Sequence, residues 1–135
     1  MEIDIPEVKA ELVEAFARYE QALVGNDVAV LDELFLDRPT TIRYGATENL
    51  YGYAAIMAFR SGRPSAGLAR TLERTVITTY GRDFGTASTL FRRPGAPGRI
   101  GRQTQSWVRT PAGWRVVAAH VSVIDDPDPD AGPAR

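Results

Sequence analysis

The segment RIGRQTQSWVRTPAGWRVVAAHVSVI, residues 99–124, reads as two long strands and one reversal. Both runs are rich in β-branched and aromatic side chains, and the PAG between them is too short for a crossover helix. An antiparallel hairpin is therefore expected. In the first strand Gln103, Gln105 and Trp107 share one face, and Arg102, Thr104, Ser106 and Val108 the other. In the second, Val117, Ala119, Val121 and Val123 make an apolar stripe that suits a core. They alternate with Val116, Ala118, His120, Ser122 and Ile124. That mixed set, with His120 and Ser122 among small apolar neighbours, is expected to wall a polar-tipped pocket.

Two further strand-like runs precede this pair, ARTLERTVITTYG (69–81) and FGTASTLFRR (84–93). The connectors GRD and RPGAPG are short and carry Gly, Pro or Asp, so the four runs form a meander. Upstream the period changes. In PEVKAELVEAFARYEQALVGND (6–27), Val8, Leu12, Phe16, Tyr19 and Leu23 recur at three- or four-residue steps, Pro6 suits a first helical turn, and Gly25 is expected as a left-handed cap. Asp27 is placed to cap a second helix through Leu31 and Leu34, which Asp37, Arg38 and Pro39 stop. A strand from Thr40 to Tyr44 follows, then a turn at Thr47 to Asn49, and a third helix from Tyr53 to Phe59 that Gly62, Arg63 and Pro64 end. Helices first and a long antiparallel sheet second make an α+β fold, with the helices covering one sheet face. A strongly twisted sheet wrapped around them gives a cone with a ligand-sized concavity at its open end. Residues 1–124 form one domain, and the acid- and proline-rich 125–135 is expected to be a disordered appendage.

Composition excludes several functions. At 135 residues with 44% hydrophobic content the chain is one globular domain, and a net charge of -1 gives no bulk attraction to nucleic acid or anionic lipid. Without cysteine and with one histidine, thiol chemistry and multi-histidine metal centres are not expected. No stretch approaches a membrane span and no leader pattern precedes Pro6, so the expected location is cytoplasmic. No nucleophile motif, phosphate loop or dinucleotide fingerprint has its required context. Lys9 is the one lysine among sixteen basic residues. Genomic codon bias would produce this, as would a need for forked, permanently charged guanidinium groups.

Position singles out particular residues. Arg43 stands between Ile42 and Tyr44, in a strand leading toward the interior. Strand alternation leaves open whether it points inward or snorkels at the rim. Tyr19 lies on the apolar helical stripe, either as a core tyrosine or as a proton donor to a bound molecule. Arg60 falls near the apolar face of the third helix, where the helix end would let it escape to the surface. Arg60, Arg70 and Arg74 are alternatives for further cavity-facing cations. His120 is either a hydrogen-bonded structural residue or a pocket group.

The strings TIRYG, ENLYGY, AFR, RTVITTYGRDFGTA, GRQTQSWVR and GWRVVAAHVS together resemble the AtzH and HpxZ proteins, within the SnoaL-like, nuclear-transport-factor-2-like (cystatin-like) superfamily. The resemblance runs from the first helix to Ile124. It implies a cofactor-free decarboxylase converting 1,3-dicarboxyurea to allophanate in cyanuric acid breakdown, or a role in oxalurate and purine nitrogen catabolism. A non-catalytic protein that binds oxalurate-type ureido acids, or that partners an amidase, is the alternative. Its implied catalytic residues fall on Tyr19 and Arg43. Arg70, Gln105, His120 and Ser122, drawn from alternation and loop position, would grip the remainder of a small dicarboxylate or ureido acid. The partly apolar outer sheet face is expected to make a homodimer or higher homo-oligomer.

Overall fold

A computed structural model describes residues 1–128. Pro6 opens α1 (Pro6–Val24), whose buried stripe is Val8, Leu12, Phe16, Tyr19, Ala22 and Leu23. The helix leaves through Gly25 in a right-handed conformation. The left-handed residue is Asn26, φ 52°, one position later than expected and a residue type that tolerates it. The Asp27 carboxylate accepts from the Val30 N–H and caps α2 (Val28–Leu34). After β1 (Ile42–Tyr44) and β2 (Asn49–Tyr51) comes α3 (Tyr53–Ser61), then β3 (Thr71–Tyr80), β4 (Phe84–Arg92), β5 (Arg99–Thr110) and β6 (Gly113–Asp125).

The six strands form one sheet in the order β2-β1-β6-β5-β4-β3. The meander is antiparallel throughout, and β1 alone pairs in parallel, against β6. One row crosses the sheet on its inner face: Arg43 beside Ala119, then Gln105, then Ala87, then Ile77. A second row places Val121 beside Gln103 and Thr89. The helices cover this face. Gly85 is where α1 sits closest, because a Cβ there would lie 2.4 Å from Leu12 Cδ2 and 2.8 Å from the Thr78 carbonyl oxygen. Leu12, Trp107 and Val116 are fully buried in the resulting core.

A bulge resets β6. Ser106 pairs with Ala118 but Trp107 pairs with Val116, so Val117 is an extra residue. Trp114 and Val116 point inward before the bulge, whereas Ala119, Val121 and Val123 share the inner face after it. His120 and Ser122 therefore lie on the outer face, which corrects the pocket wall read from simple alternation. At the C-terminal end β6 runs through Asp125, one residue beyond the expected boundary. Asp126 then donates its N–H to the Gly98 carbonyl and pairs with Arg92, so the chain is still anchored there. The rest of the expected appendage, 129–135, lies outside the described residues.

Candidate functional site

Arg43 takes the inner face because its register partner Ala119 does, and its side chain is 15% exposed. Its Nη1 donates to Glu48 Oε1 at 2.7 Å, and the guanidinium carbon stands 5.7 Å from the centre of the Phe59 ring on α3. Gly45 makes the ion pair geometrically feasible: a Cβ at that position would fall 1.8 Å from Glu48 Oε1 and 2.9 Å from Arg43 Nη1. The Thr47 hydroxyl and N–H hold the other Glu48 oxygen. Burial pushes the Glu48 carboxyl up, but the hydrogen bonds from Thr47 and Arg43 outweigh it and leave the group below the usual glutamate range. Among the described residues, Arg43 Nε and Nη2 have no hydrogen-bond partner. One side of the fork is thus fixed and the other is available.

Tyr19 projects from α1 toward the same face. Its ring meets Trp107 edge-on at 6.3 Å and lies 6.3 Å from Phe16 and 6.4 Å from Phe35. The residue is 5% exposed, yet its hydroxyl makes no hydrogen bond to a described residue. The ring is thus held on three sides, while its hydroxyl, which is not among the fully buried unpartnered atoms, is left for solvent or a bound molecule.

Around these two groups lie four more guanidinium groups. Arg60, expected at the surface, is 4% exposed. Its Nη1 reaches Asp32 Oδ1 at 2.7 Å and it stacks over Phe35 at 4.7 Å, a pairing that makes burial tolerable. Arg70 is gripped by both Glu20 oxygens at 2.9 and 2.6 Å, donates to Gln103 Oε1 at 3.1 Å, and lies 4.5 Å over Phe91. It is an occupied clamp rather than a free one. Arg93 donates through Nε to the Gly67 carbonyl and stacks 4.8 Å over Phe91. Burial, followed by the charge of Arg70, lowers its pKa. Arg63, unmarked by the sequence because it reads as part of a helix-ending Gly-Arg-Pro, has buried Nε and Nη2 atoms with no hydrogen-bond partner among the described residues. Burial lowers its pKa too, followed by the charges of Arg60 and Arg43. Arg74 stands apart, at a left-handed bulge of β3 beside Ser88, Arg102 and Thr104.

The glutamines complete the lining. Gln105 Oε1 accepts from Trp107 Nε1 at 3.1 Å, leaving Gln105 Nε2 buried and unpartnered, and Gln103 Nε2 is in the same condition. Because both amide oxygens are committed to donors, both NH2 groups are forced to face away from them. The small side chains of Ala119 and Ala87 flank Gln105 in its row. The inner face thus presents spare donors and two guanidinium groups, Arg63 and Arg93, without an ion pair among the described residues. Such a surface suits an anion rich in acceptor oxygens. His120 and Ser122 do not contribute. His120 stands 6.1 Å from the Tyr44 ring, and Ser122 Oγ accepts from Arg102 Nε and Nη2, all on the outer face. No group of three or more His, Cys, Asp or Glu among the described residues is arranged to hold a metal.

A protein of unknown function of the DUF3225 family from Pectobacterium atrosepticum SCRI1043 is 59% identical, with a TM-score of 0.89 over 91% of this chain and 95% of that one. A cystatin-like fold protein from Burkholderia xenovorans LB400 is 45% identical, with a TM-score of 0.90 over 94% of this chain and 99% of that one. A nuclear-transport-factor-2-like protein of unknown function from Pseudomonas putida KT2440, 20% identical with a TM-score of 0.72 over 86% of each chain, shares the fold. No curated protein matches the chain. The AtzH-like family model matches residues 1–127, nearly the whole length, and the chain belongs to the AtzH-like family.

Proposed function

We propose that the chain is a cofactor-free decarboxylase of a small N-carboxylated urea, converting 1,3-dicarboxyurea to allophanate. The observation that carries this reading is the Tyr19 hydroxyl, which makes no hydrogen bond to a described residue, on the sheet face that also holds Arg43 and its open guanidinium edge. An N-carboxylated urea loses carbon dioxide once its nitrogen gains a proton. The C–N bond breaks, its electron pair stays on nitrogen, and the dianion plus one proton becomes the allophanate monoanion plus carbon dioxide. The site must then supply an acid and an orienting cation. Tyr19 delivers the proton, directly or through a water, and solvent restores it. Arg43 orients a carboxylate through Nε and Nη2. The phenolate left for an instant would be stabilised by the surrounding guanidinium groups. Gln105 Nε2 would donate to the urea oxygen, and Arg70, already held by Glu20, would shape the floor with Gln103.

The test is to incubate purified protein with freshly generated 1,3-dicarboxyurea and follow carbon dioxide release against the spontaneous rate. Acceleration supports the reading. No acceleration together with tight binding of oxalurate would replace it with a non-catalytic ureido-acid binding protein.

A further inference from the structure

The face that carries Tyr19 and Arg43 holds more guanidinium groups than carboxylates paired with them, and the surplus is unevenly placed. Arg43, Arg60 and Arg70 are each paired, with Glu48, Asp32 and Glu20. Arg63 is not, although its Nε and Nη2 are buried, and its nearest charged neighbours include the cations Arg60 and Arg43. Burying guanidinium N–H groups beside like charges is unfavourable, and folding alone gives no reason to keep them there. A ligand carboxylate would supply both the missing acceptors and the missing charge.

We propose that Arg63 binds the carboxylate that survives the reaction, and that this contact makes the site selective for dianions. The inference rests on the reading of this face as the substrate site and adds a division of labour between two arginines. Charge leaves the scissile carboxylate as carbon dioxide forms, so a strong cation there would stabilise the ground state more than the transition state. Arg43, partly neutralised by Glu48, is the weaker anchor and suits that end. The retained carboxylate keeps its charge throughout. A bare guanidinium can grip it fully without opposing the chemistry, and Arg63 is that group. Arg93, also without an ion pair among the described residues, adds to the field at the same end. It also lines a groove of about 480 Å³ formed with Arg70, Pro94 and Pro97.

Calorimetric titration with glutarate, whose carboxylates are spaced by three atoms as in 1,3-dicarboxyurea, and with the monoanion butyrate tests this on the full chain. Wild type should prefer glutarate by about tenfold or more, one charge-assisted pair being worth one to two decades of affinity. Arg63→Gln should lose that preference, weaken glutarate binding more than butyrate binding, and raise KM for 1,3-dicarboxyurea about ten- to hundred-fold with kcat little altered. Unchanged glutarate affinity in a folded Arg63→Gln protein overturns the assignment. If that variant does not fold, Arg63→Lys decides: intermediate glutarate affinity supports the proposal, and wild-type affinity overturns it. Glutarate binding that depends on Arg63 without any carbon dioxide release would sink the decarboxylase and keep the dianion site. Turnover with a KM indifferent to Arg63 would do the reverse.

Discussion

Replacing Tyr19 by phenylalanine removes one oxygen atom and keeps the ring between Phe16, Phe35 and Trp107. Because the hydroxyl makes no hydrogen bond to a described residue, its loss costs the folded state no such bond. With neither a hydrogen bond nor ring packing lost, the variant should keep wild-type stability to within about 1 kcal/mol. For a chain of this size that is a change in Tm of no more than about 5 °C. Activity should fall. Losing a general acid lowers turnover by about two to four orders of magnitude, while glutarate affinity stays within a factor of about three because no charged contact is touched. The assays are thermal unfolding, glutarate titration and carbon dioxide release on the same preparation. A Tyr19→Phe protein destabilised by more than about 1 kcal/mol would show that the hydroxyl serves packing, and retained turnover would remove it from the chemistry.

Gly45→Ala should leave the fold intact, since the added methyl meets the movable Glu48 carboxylate, but it should displace that carboxylate from Arg43 and raise KM several-fold; an unchanged KM would mean the ion pair does not set the guanidinium's position. Asp32→Ala strands the buried Arg60 over Phe35 and should cost about 3 to 5 kcal/mol in urea denaturation, with much of the loss recovered in a double variant carrying Arg60→Met; equal effects in the two backgrounds would deny the coupling. Glu48 has its folded-state pKa below its unfolded value, so it contributes stability above about pH 4.3 that is lost as pH falls through the lower folded value. Acid unfolding of Glu48→Gln should therefore be less steep over that window than that of wild type, and superimposable profiles would count against the pair.

Local signals carried most of the architecture. The α1 stripe, the Asp27 cap, the four long strands and the short connectors all follow from periods and turn residues that act within a few positions. Tyr19 was legible because helical spacing fixes its face. The inward placement of Arg43 required knowledge of its neighbour: β1 is three residues long, and only pairing with β6 places Arg43 in line with Ala119. The core stripe of Ala119, Val121 and Val123 was legible, but the opposite face, with His120 and Ser122 among small apolar neighbours, looked like a pocket wall; the bulge at Val117 brings Val116 and Trp114 inward and leaves His120 and Ser122 outside. The arginines were hardest to place. What buries Arg60 is Asp32, 28 residues away, and what occupies Arg70 is Glu20, 50 residues away. Arg63 remained hidden because its neighbours Gly62 and Pro64 explain a helix end so well that nothing prompted a second use for the residue between them.

The parallel seating of β1 on β6 also orders events during synthesis. Arg43 is synthesised well before the strand that lines it up with Ala119, because β3, β4 and β5 come between β1 and β6. A nascent chain ending before β6 can form α1 and the β1–β2 hairpin yet has no edge on which to dock them. The guanidinium and the phenol therefore come to share one sheet face only once β6 has been made, and products truncated before it should be ligand-blind even where their early segments have folded.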